Sequence, residues 1–469
     1  MVFSSMIFLW IFLPIVILLY YISNDKFKNI ILLISSLIFY AWGEPKYIIL
    51  MLISIFINYI FGIFLDKFRK NGKLILILAI IVNLGLLAYF KYFNFYVEGI
   101  NILFNKNVLK FRDIVLPIGI SFYTFQILSY IIDLYRKEIK VQKNILNLAL
   151  YVSFFPQLIA GPIVKYKDIE KEINNRKVNL ELFASGIKRF VYGLGKKVMI
   201  ANSLAIVADT IFNSYTSSLN TPLVWLGAIA YTLQIYFDFS GYSDMAIGLG
   251  RMFGFHFMEN FNLPYLSQSI TEFWRRWHIS LSTWFKQYLY IPLGGNRKGK
   301  FRTYLNLFIV FFATGLWHGA SFNFVVWGLY HGLFLIIERI FFKKILDNNK
   351  MKFLNSIYVM LVVIIGWVIF RADSTYQALS LIKLMFSFDF SPTYILTTSQ
   401  VNLKILLTII LAIILCGPIQ KLVSSLKSSK KIIKFYENKF EVIVIVLILS
   451  ISILELVSSS YNPFIYFRF

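Results

Sequence analysis

The chain has 469 residues with 47 Lys and Arg against 23 Asp and Glu, a formal net charge of +24, and 58% hydrophobic residues including 48 Phe and 29 Tyr. Soluble domains are about 25% charged; this chain is 15% charged with a mean hydropathy of +0.69, which excludes an ordinary water-solvated globule and makes lipid its solvent. The basic pI of about 9.7 does not point to nucleic acid, because the Lys and Arg lie between long apolar runs, as in the cytoplasmic loops of membrane proteins.

The run from Met1 to Ile22 is read as the first span: it is too long for the apolar part of a signal peptide and lacks a basic start and a small-residue cleavage site. Further apolar stretches recur at about 29–43, 47–65, 74–90, 114–132, 144–164, 182–212, 222–254, 303–342, 353–371, 401–419 and 440–459. At about 20 residues per crossing they predict an all-α, polytopic integral membrane protein of roughly eleven to thirteen transmembrane helices. The segment from Ile270 to Ile291 mixes Trp and Phe with Arg275, Arg276, His278 and Lys286, a pattern of an interfacial or re-entrant helix. Cys416, the single cysteine, excludes an intramolecular disulfide or a CxxC pair and reads as a small core residue.

Four basic clusters are assigned to the cytoplasm: Lys67, Arg69, Lys70 and Lys73; Arg297, Lys298, Lys300 and Arg302; Arg339, Lys343 and Lys344; and Lys427, Lys430, Lys431 and Lys434. Alternating from the first places the N-terminus outside. No repeat, low-complexity tract or long linker interrupts the chain, so residues 1–469 read as one membrane domain with a motif-bearing core at about 114–342.

Common catalytic signatures are missing. Gly241-Tyr242-Ser243-Asp244-Met245 lacks the second Gly of a nucleophile elbow. The stretch Gly294 to Lys300 imitates a phosphate loop, but Phe301 stands where a magnesium-binding Ser or Thr is needed and no strand precedes it; a flexible cytoplasmic turn is the better reading. What stands out is that all four histidines fall between residues 256 and 331, among Trp, Arg, Asp and Gly in otherwise apolar sequence. Ionisable groups at membrane depth are costly unless they face a protein interior or a water-filled cavity.

His318, in Gly315-Leu316-Trp317-His318-Gly319-Ala320, is the strongest candidate. Its imidazole can take a hydroxyl proton and return it to a leaving group. The competing reading is a histidine hydrogen-bonded inside a bundle. His278 lies in Glu272-Phe273-Trp274-Arg275-Arg276-Trp277-His278, where Arg275 and Arg276 offer bidentate phosphate geometry and His278 would line the path to the reacting centre; an interfacial anchor is the alternative. His331 follows His318 by thirteen residues, about 220° around an unbroken helix, and reads as structural or as a supporting partner. Gly319, Ser321 and Asn323 argue for a break between them. His256 reads as structural, and Asp238 and Asp244 would orient a histidine or pair with Arg251, with the ordinary packing of a buried ion pair as an equal alternative.

Taken in order, Tyr236 to Asp244 (YFDFSGYSD), Phe273 to Ser282 (FWRRWHISLS), Tyr288 to Arg297 (YLYIPLGGNR), Trp317-His-Gly-Ala and Trp327-Gly-Leu-Tyr-His-Gly resemble the membrane-bound O-acyltransferase (MBOAT) family, in its bacterial branch of alginate and peptidoglycan O-acetyltransferases. The similarity extends over nearly the whole chain, including Phe155-Pro156-Gln157-Leu158-Ile159-Ala160-Gly161-Pro162. One departure is Phe285-Lys286-Gln287-Tyr288, where the branch carries Phe-Arg-Asp-Tyr; losing the Asp removes an ion-pair partner.

The resemblance implies a ring of helices around a thin centre, an outer funnel and a donor tunnel from the cytoplasm. It also implies a catalytic His318 at the funnel base and His278 on the donor side. An acetyl thioester such as acetyl-coenzyme A would enter with its phosphates near Arg275, Arg276 and the Arg297–Arg302 loop, as a donor substrate and not as a bound cofactor. Trp274, Trp277, Trp317, Asn323 and Asp238 are read as the rest of the substrate-facing set, with no metal ion; the sequence names no oxyanion donor, and backbone amides near Gly319 or the Asn323 side chain are only guesses at one. The acceptor would be an envelope polysaccharide or an extracytoplasmic SGNH-type acetyltransferase partner, at the bacterial cytoplasmic membrane. A transporter or flippase for a lipid-linked glycan is the leading alternative, against which no internal symmetry is found; a non-catalytic scaffold is the other.

Overall fold

The computed structural model describes residues 1–346, 348–392, 402–419, 440–459 and 461–465. The basic cluster Lys427 to Lys434 lies outside the described residues. Among the described residues there is no strand, as a bilayer requires of a chain that must satisfy its N–H and C=O groups within each segment. Six helices among the described residues are long and apolar enough to cross a membrane: Tyr47–Lys67, Arg69–Phe104, Leu180–Phe212, Phe322–Phe342, Lys352–Arg371 and Glu441–Ser458. Phe8–Ile22 and Leu403–Leu415 are shorter apolar helices. Other stretches predicted as spans are also helical, among them Ile120–Tyr135, Thr221–Met252 and Gly299–His318. Ile120–Tyr135 is short, at 16 residues, and the other two carry more polar residues, so length and apolarity alone single out fewer spans than the apolar runs of the sequence. Along Glu441–Ser458, Val442, Val446, Leu447 and Leu454 are each more than half exposed, a strip that only lipid can cover. The protein is thus an all-α, multi-pass membrane protein.

The chain forms two compact units, Met1–Phe190 with Ser243–Met258, and Val191–Tyr242 with Glu259–Phe469. In the first, Asn58 and Asn83 exchange side-chain amide hydrogen bonds of 3.0 and 2.7 Å between neighbouring helices, and each amide also donates to the carbonyl four residues earlier. Two buried amides therefore join helices without an unmet donor. Arg189 pairs with Asp244 at 2.5 Å, and the exposed His256 pairs with Glu172 at 2.7 Å.

The second unit is built on a helical hairpin. Gly299–His318 and Phe322–Ile337 are joined by Gly319-Ala320-Ser321, where the Ser321 hydroxyl caps the second helix by accepting from Asn323 N–H. Glycine lets the two helices touch backbone to backbone: a Cβ on Gly328 would lie 2.2 Å from Phe311 O, and one on Gly315 2.2 Å from Phe324 O. Only hydrogen fits there. Lys352–Arg371 packs on the second helix through Tyr330, whose hydroxyl donates to Val362 O at 2.9 Å. In the long helix Thr221–Met252, Asp238 and Asp244 stand about 240° apart and so meet different neighbours. Of the readings the sequence left open for them, the buried ion pair is the one seen: Asp244 pairs with Arg189, and Asp238 with the buried Lys197 at 2.7 Å.

Candidate active site

The Phe273 to Ser282 motif folds as two short helices, Ile270–Arg276 and Ile279–Phe285, with a sharp turn at His278. The first is capped by Ser269, whose Oγ accepts from Glu272 N–H at 2.9 Å, and Glu272 reaches back to accept from Gln268 N–H, just before the cap. The buried Glu338 adds its carboxylate at the same end, accepting from Ile270 N–H, Thr271 N–H and Thr271 Oγ1. An anion at a helix N-terminus is well placed, and it ties this segment to the hairpin.

At the turn His278 has φ of +44°, a left-handed conformation that costs a non-glycine residue and must be held by its surroundings. Asn260 holds it. Its Oδ1 accepts from Ser280 N–H at 3.1 Å and Ser280 Oγ at 2.9 Å and faces His278 Nδ1 at 3.2 Å, while Asn260 O accepts from Ile279 N–H. Because the backbone donor identifies Oδ1 as the oxygen, His278 carries its proton on Nδ1 and keeps a lone pair on Nε2. That nitrogen is buried with no hydrogen-bond partner among the described residues. His278 lies outside the spanning helices, and burial pushes its imidazole down to about 3, so it is neutral at pH 7.

His318 ends its helix among aromatic rings: centroids of Trp317, Trp327 and Phe370 lie 5.0, 5.0 and 5.2 Å away. Trp317 also approaches His278 at 5.9 Å, which brings the two histidines to opposite neighbours of one indole. Trp327 lies between His318 and His331, the latter fully buried 5.2 Å away. The helix break expected between His318 and His331 is present.

Two cavities adjoin this group. One, of about 260 Å³, is lined by the cations Arg275, Lys286 and Arg339 and by apolar residues that include Trp274, Phe285 and Phe311. Leu307, Val310, Phe311 and Thr314 give it a stripe along the hairpin's first helix. The second, of about 10 Å³, is lined by Ile235, Phe239, Trp277, His318, Trp367, Phe370 and Ile465. His318 follows Leu307 by eleven residues, so it lies about 20° from the same face and one turn beyond Thr314. Trp274 and Trp277, likewise, line one cavity each. The segment around His278 is the wall between them.

The remaining sequence candidates are spent elsewhere. Arg276 pairs with Glu272 at 2.8 Å and donates to Asn262 O. Asn323 donates to Ala372 O at 2.5 Å and accepts from Thr375 Oγ1 at 2.8 Å, tying the hairpin to the end of Lys352–Arg371. Asp238 takes Lys197 and, at 2.9 Å, Ile465 N–H. Among the described residues no three of His, Cys, Asp and Glu converge to hold a metal ion.

Residues 134–382 match MBOAT, the membrane-bound O-acyltransferase family. The chain belongs to that family. It is 44% identical to the probable alginate O-acetylase AlgI of Pseudomonas putida over the full length of both chains. It is 38% identical to a peptidoglycan O-acetyltransferase of Helicobacter pylori over 82% of this chain and 79% of that one. Similarity to a teichoic acid D-alanyltransferase of Bacillus subtilis is 30% over 51% and 62%. The protein is therefore a membrane-bound O-acyltransferase.

For this acyltransferase, sequence reasoning passed over Asn260, Glu338, Trp367, Phe370 and Lys197. Lys197, an ionisable group in an apolar run, carried a signal, since it needs an acid at membrane depth and Asp238 is one. The other four are ordinary residues until the fold brings them together.

Proposed function

We propose that the enzyme acetylates hydroxyl groups of an envelope polysaccharide, directly or through an extracytoplasmic partner transferase, from a cytoplasmic acyl thioester. The observation that carries this reading is the pair of cavities one helical turn apart. Arg275, Lys286 and Arg339 suit the phosphates of a donor such as acetyl-coenzyme A, and the stripe from Leu307 to Thr314 suits its slender thioester arm. The cations at the start of Gly299–His318 and the end of Phe322–Phe342 share one end of the hairpin, which favours a cytoplasmic mouth at the bacterial inner membrane.

The chemistry then falls to His318. Its imidazole takes the acceptor hydroxyl proton as the oxygen attacks the thioester carbonyl; the C–O bond forms, the C–S bond breaks, and the proton passes to the leaving thiolate. Apolar walls keep competing water out and hold the two reactants in line. His278, neutral and clamped by Asn260, acts as a positioning residue of the wall.

The test is alkali-labile acetate on envelope polysaccharide from cells lacking the native gene, complemented with wild type or His318→Ala at matched membrane levels. General-base loss costs about 10²–10⁴-fold, so acetate is expected to fall to background. Equal acetate from both would overturn the assignment, and acetate from neither would favour another acyl group or a transport role.

A further inference from the structure

We infer that Ile465, in the C-terminal segment, sets the size of the acyl group that this enzyme transfers; the inference rests on the reading of His318 as the transfer centre. Of the seven residues that line the His318 cavity, six belong to the body of the second unit, and one, Ile465, comes from the end of the chain. The cavity's volume of about 10 Å³ is room for about one water-sized group. An acyl carbon within reach of a hydroxyl at His318 must place its alkyl end against these walls. A methyl group fits, and each added methylene has to displace a wall residue.

Most of the wall is locked ring against ring. Trp277 and Trp367 lie 4.8 Å apart, and Trp367 and Phe370 5.6 Å apart. Ile465 is held differently. Lys197 and Asp238, 2% and 1% exposed, form an ion pair that grips the backbone on both sides of residue 464: Lys197 Nζ donates to Pro463 O, and Asp238 Oδ2 accepts from Ile465 N–H at 2.9 Å. Phe464 lies on Tyr242 with ring centroids 4.7 Å apart. Two desolvated charges are a costly way to hold a segment unless further hydrogen bonds offset the cost; here each charge has one such bond, to a peptide group that aims Ile465. The pair thus specifies where the side chain points, and the side chain closes the cavity.

The test uses the complemented cells grown with sodium propionate, with intracellular propionyl thioester confirmed by mass spectrometry and protein levels matched. Alkali-released acetate and propionate are measured by gas chromatography. One methylene in an apolar pocket is discriminated about 10–200-fold. Ile465→Ala is therefore expected to raise the propionate-to-acetate ratio about tenfold or more over wild type. Lys197→Met with Asp238→Leu, which releases the segment and leaves Ile465 unchanged, should raise the ratio less. An unchanged ratio in an Ile465→Ala enzyme that still transfers acetate overturns the inference. If that variant transfers neither acid, Ile465→Val decides by the same ratio: a rise supports the role and no change removes it. Failure of the His318 reading would show separately, as acetate retained in His318→Ala.

Discussion

Two cavities of the second unit share the helix Gly299–His318 and the segment that carries Trp274 and Trp277, yet one holds about 260 Å³ beside three cations and the other about 10 Å³ with no Lys or Arg in its wall. The larger has the charge and length to grip a polyanionic molecule by its far end. The smaller has only an imidazole and apolar walls. On the proposed reading, the cationic cavity would hold the donor's phosphates and the His318 cavity would be the place of transfer. On that reading, binding and chemistry would be divided along one helix, with Trp274, Trp277 and the His278 turn between them.

The hardest blow to this arrangement should come from the hairpin that carries both cavities. Gly328→Ala puts a Cβ 2.2 Å from Phe311 O, a backbone atom that cannot move aside. Overpacking of this kind costs about 1–3 kcal/mol or more, so acetate should drop to near background and the detergent-solubilised protein should melt earlier. Gly332→Ala meets only Phe311 Cβ at 3.1 Å and should be much milder; equal effects would mean that the close approach is not what aligns the cavities.

The dividing wall is broken more selectively by Asn260→Ala, which removes the acceptor of Ser280 N–H and Ser280 Oγ and leaves His278 Nδ1 only the Ser280 hydroxyl at 3.4 Å. Each unmet buried donor costs about 1–3 kcal/mol. Thermal unfolding should shift down by several degrees and acetate transfer should fall with it, whereas Asn262→Ala should change neither. A wild-type melting curve from Asn260→Ala would dispose of the clamp.

Acid probes the same wall. His278 is lowered from its ordinary 6.5 to about 3 by burial, so between those values the unfolded chain binds a proton that the folded one refuses. Its contribution to stability is complete above about pH 6.5 and is lost as pH falls toward 3. His278→Asn should flatten the melting temperature over that window, and a slope identical to wild type would reassign it to other groups.

The smallest effects are expected at the cationic cavity, one charge at a time. Partly exposed charge contacts are worth up to about 1 kcal/mol, or about fivefold. Arg275→Gln and Arg339→Gln should each raise the donor KM by a few-fold with little change in kcat, and added salt should mimic them. Arg276→Gln, whose partner is Glu272, should leave KM within about twofold. If Arg276 mattered as much as Arg275, the donor would not lie in this cavity.

Much of this was legible in the chain itself. Apolar runs of spanning length dictate helices, because no other structure hides backbone polar groups from lipid. His318 and His278 stood out as ionisable residues in apolar sequence, and the glycines at 315, 319 and 328 marked close packing. Less legible was how neighbouring candidates divide. Arg275 and Arg276 are adjacent, but successive helix residues point about 100° apart; one lines the cavity and the other meets Glu272. Asn323 looked free for an oxyanion until the fold set Ala372 and Thr375 against it.

The sequence by itself determined the solvent, the all-helical class and the family, and it singled out the histidines proposed to carry the chemistry, because hydropathy and motif order are local properties of the chain. Only the tertiary structure decided what each polar residue touches. Lys197, Asp238 and Ile465 are separated by up to 268 positions, and nothing in the local chain says that a buried ion pair will hold the C-terminal segment at the wall of the His318 cavity. That assignment depends on which polar groups the helices bring together where water cannot satisfy them.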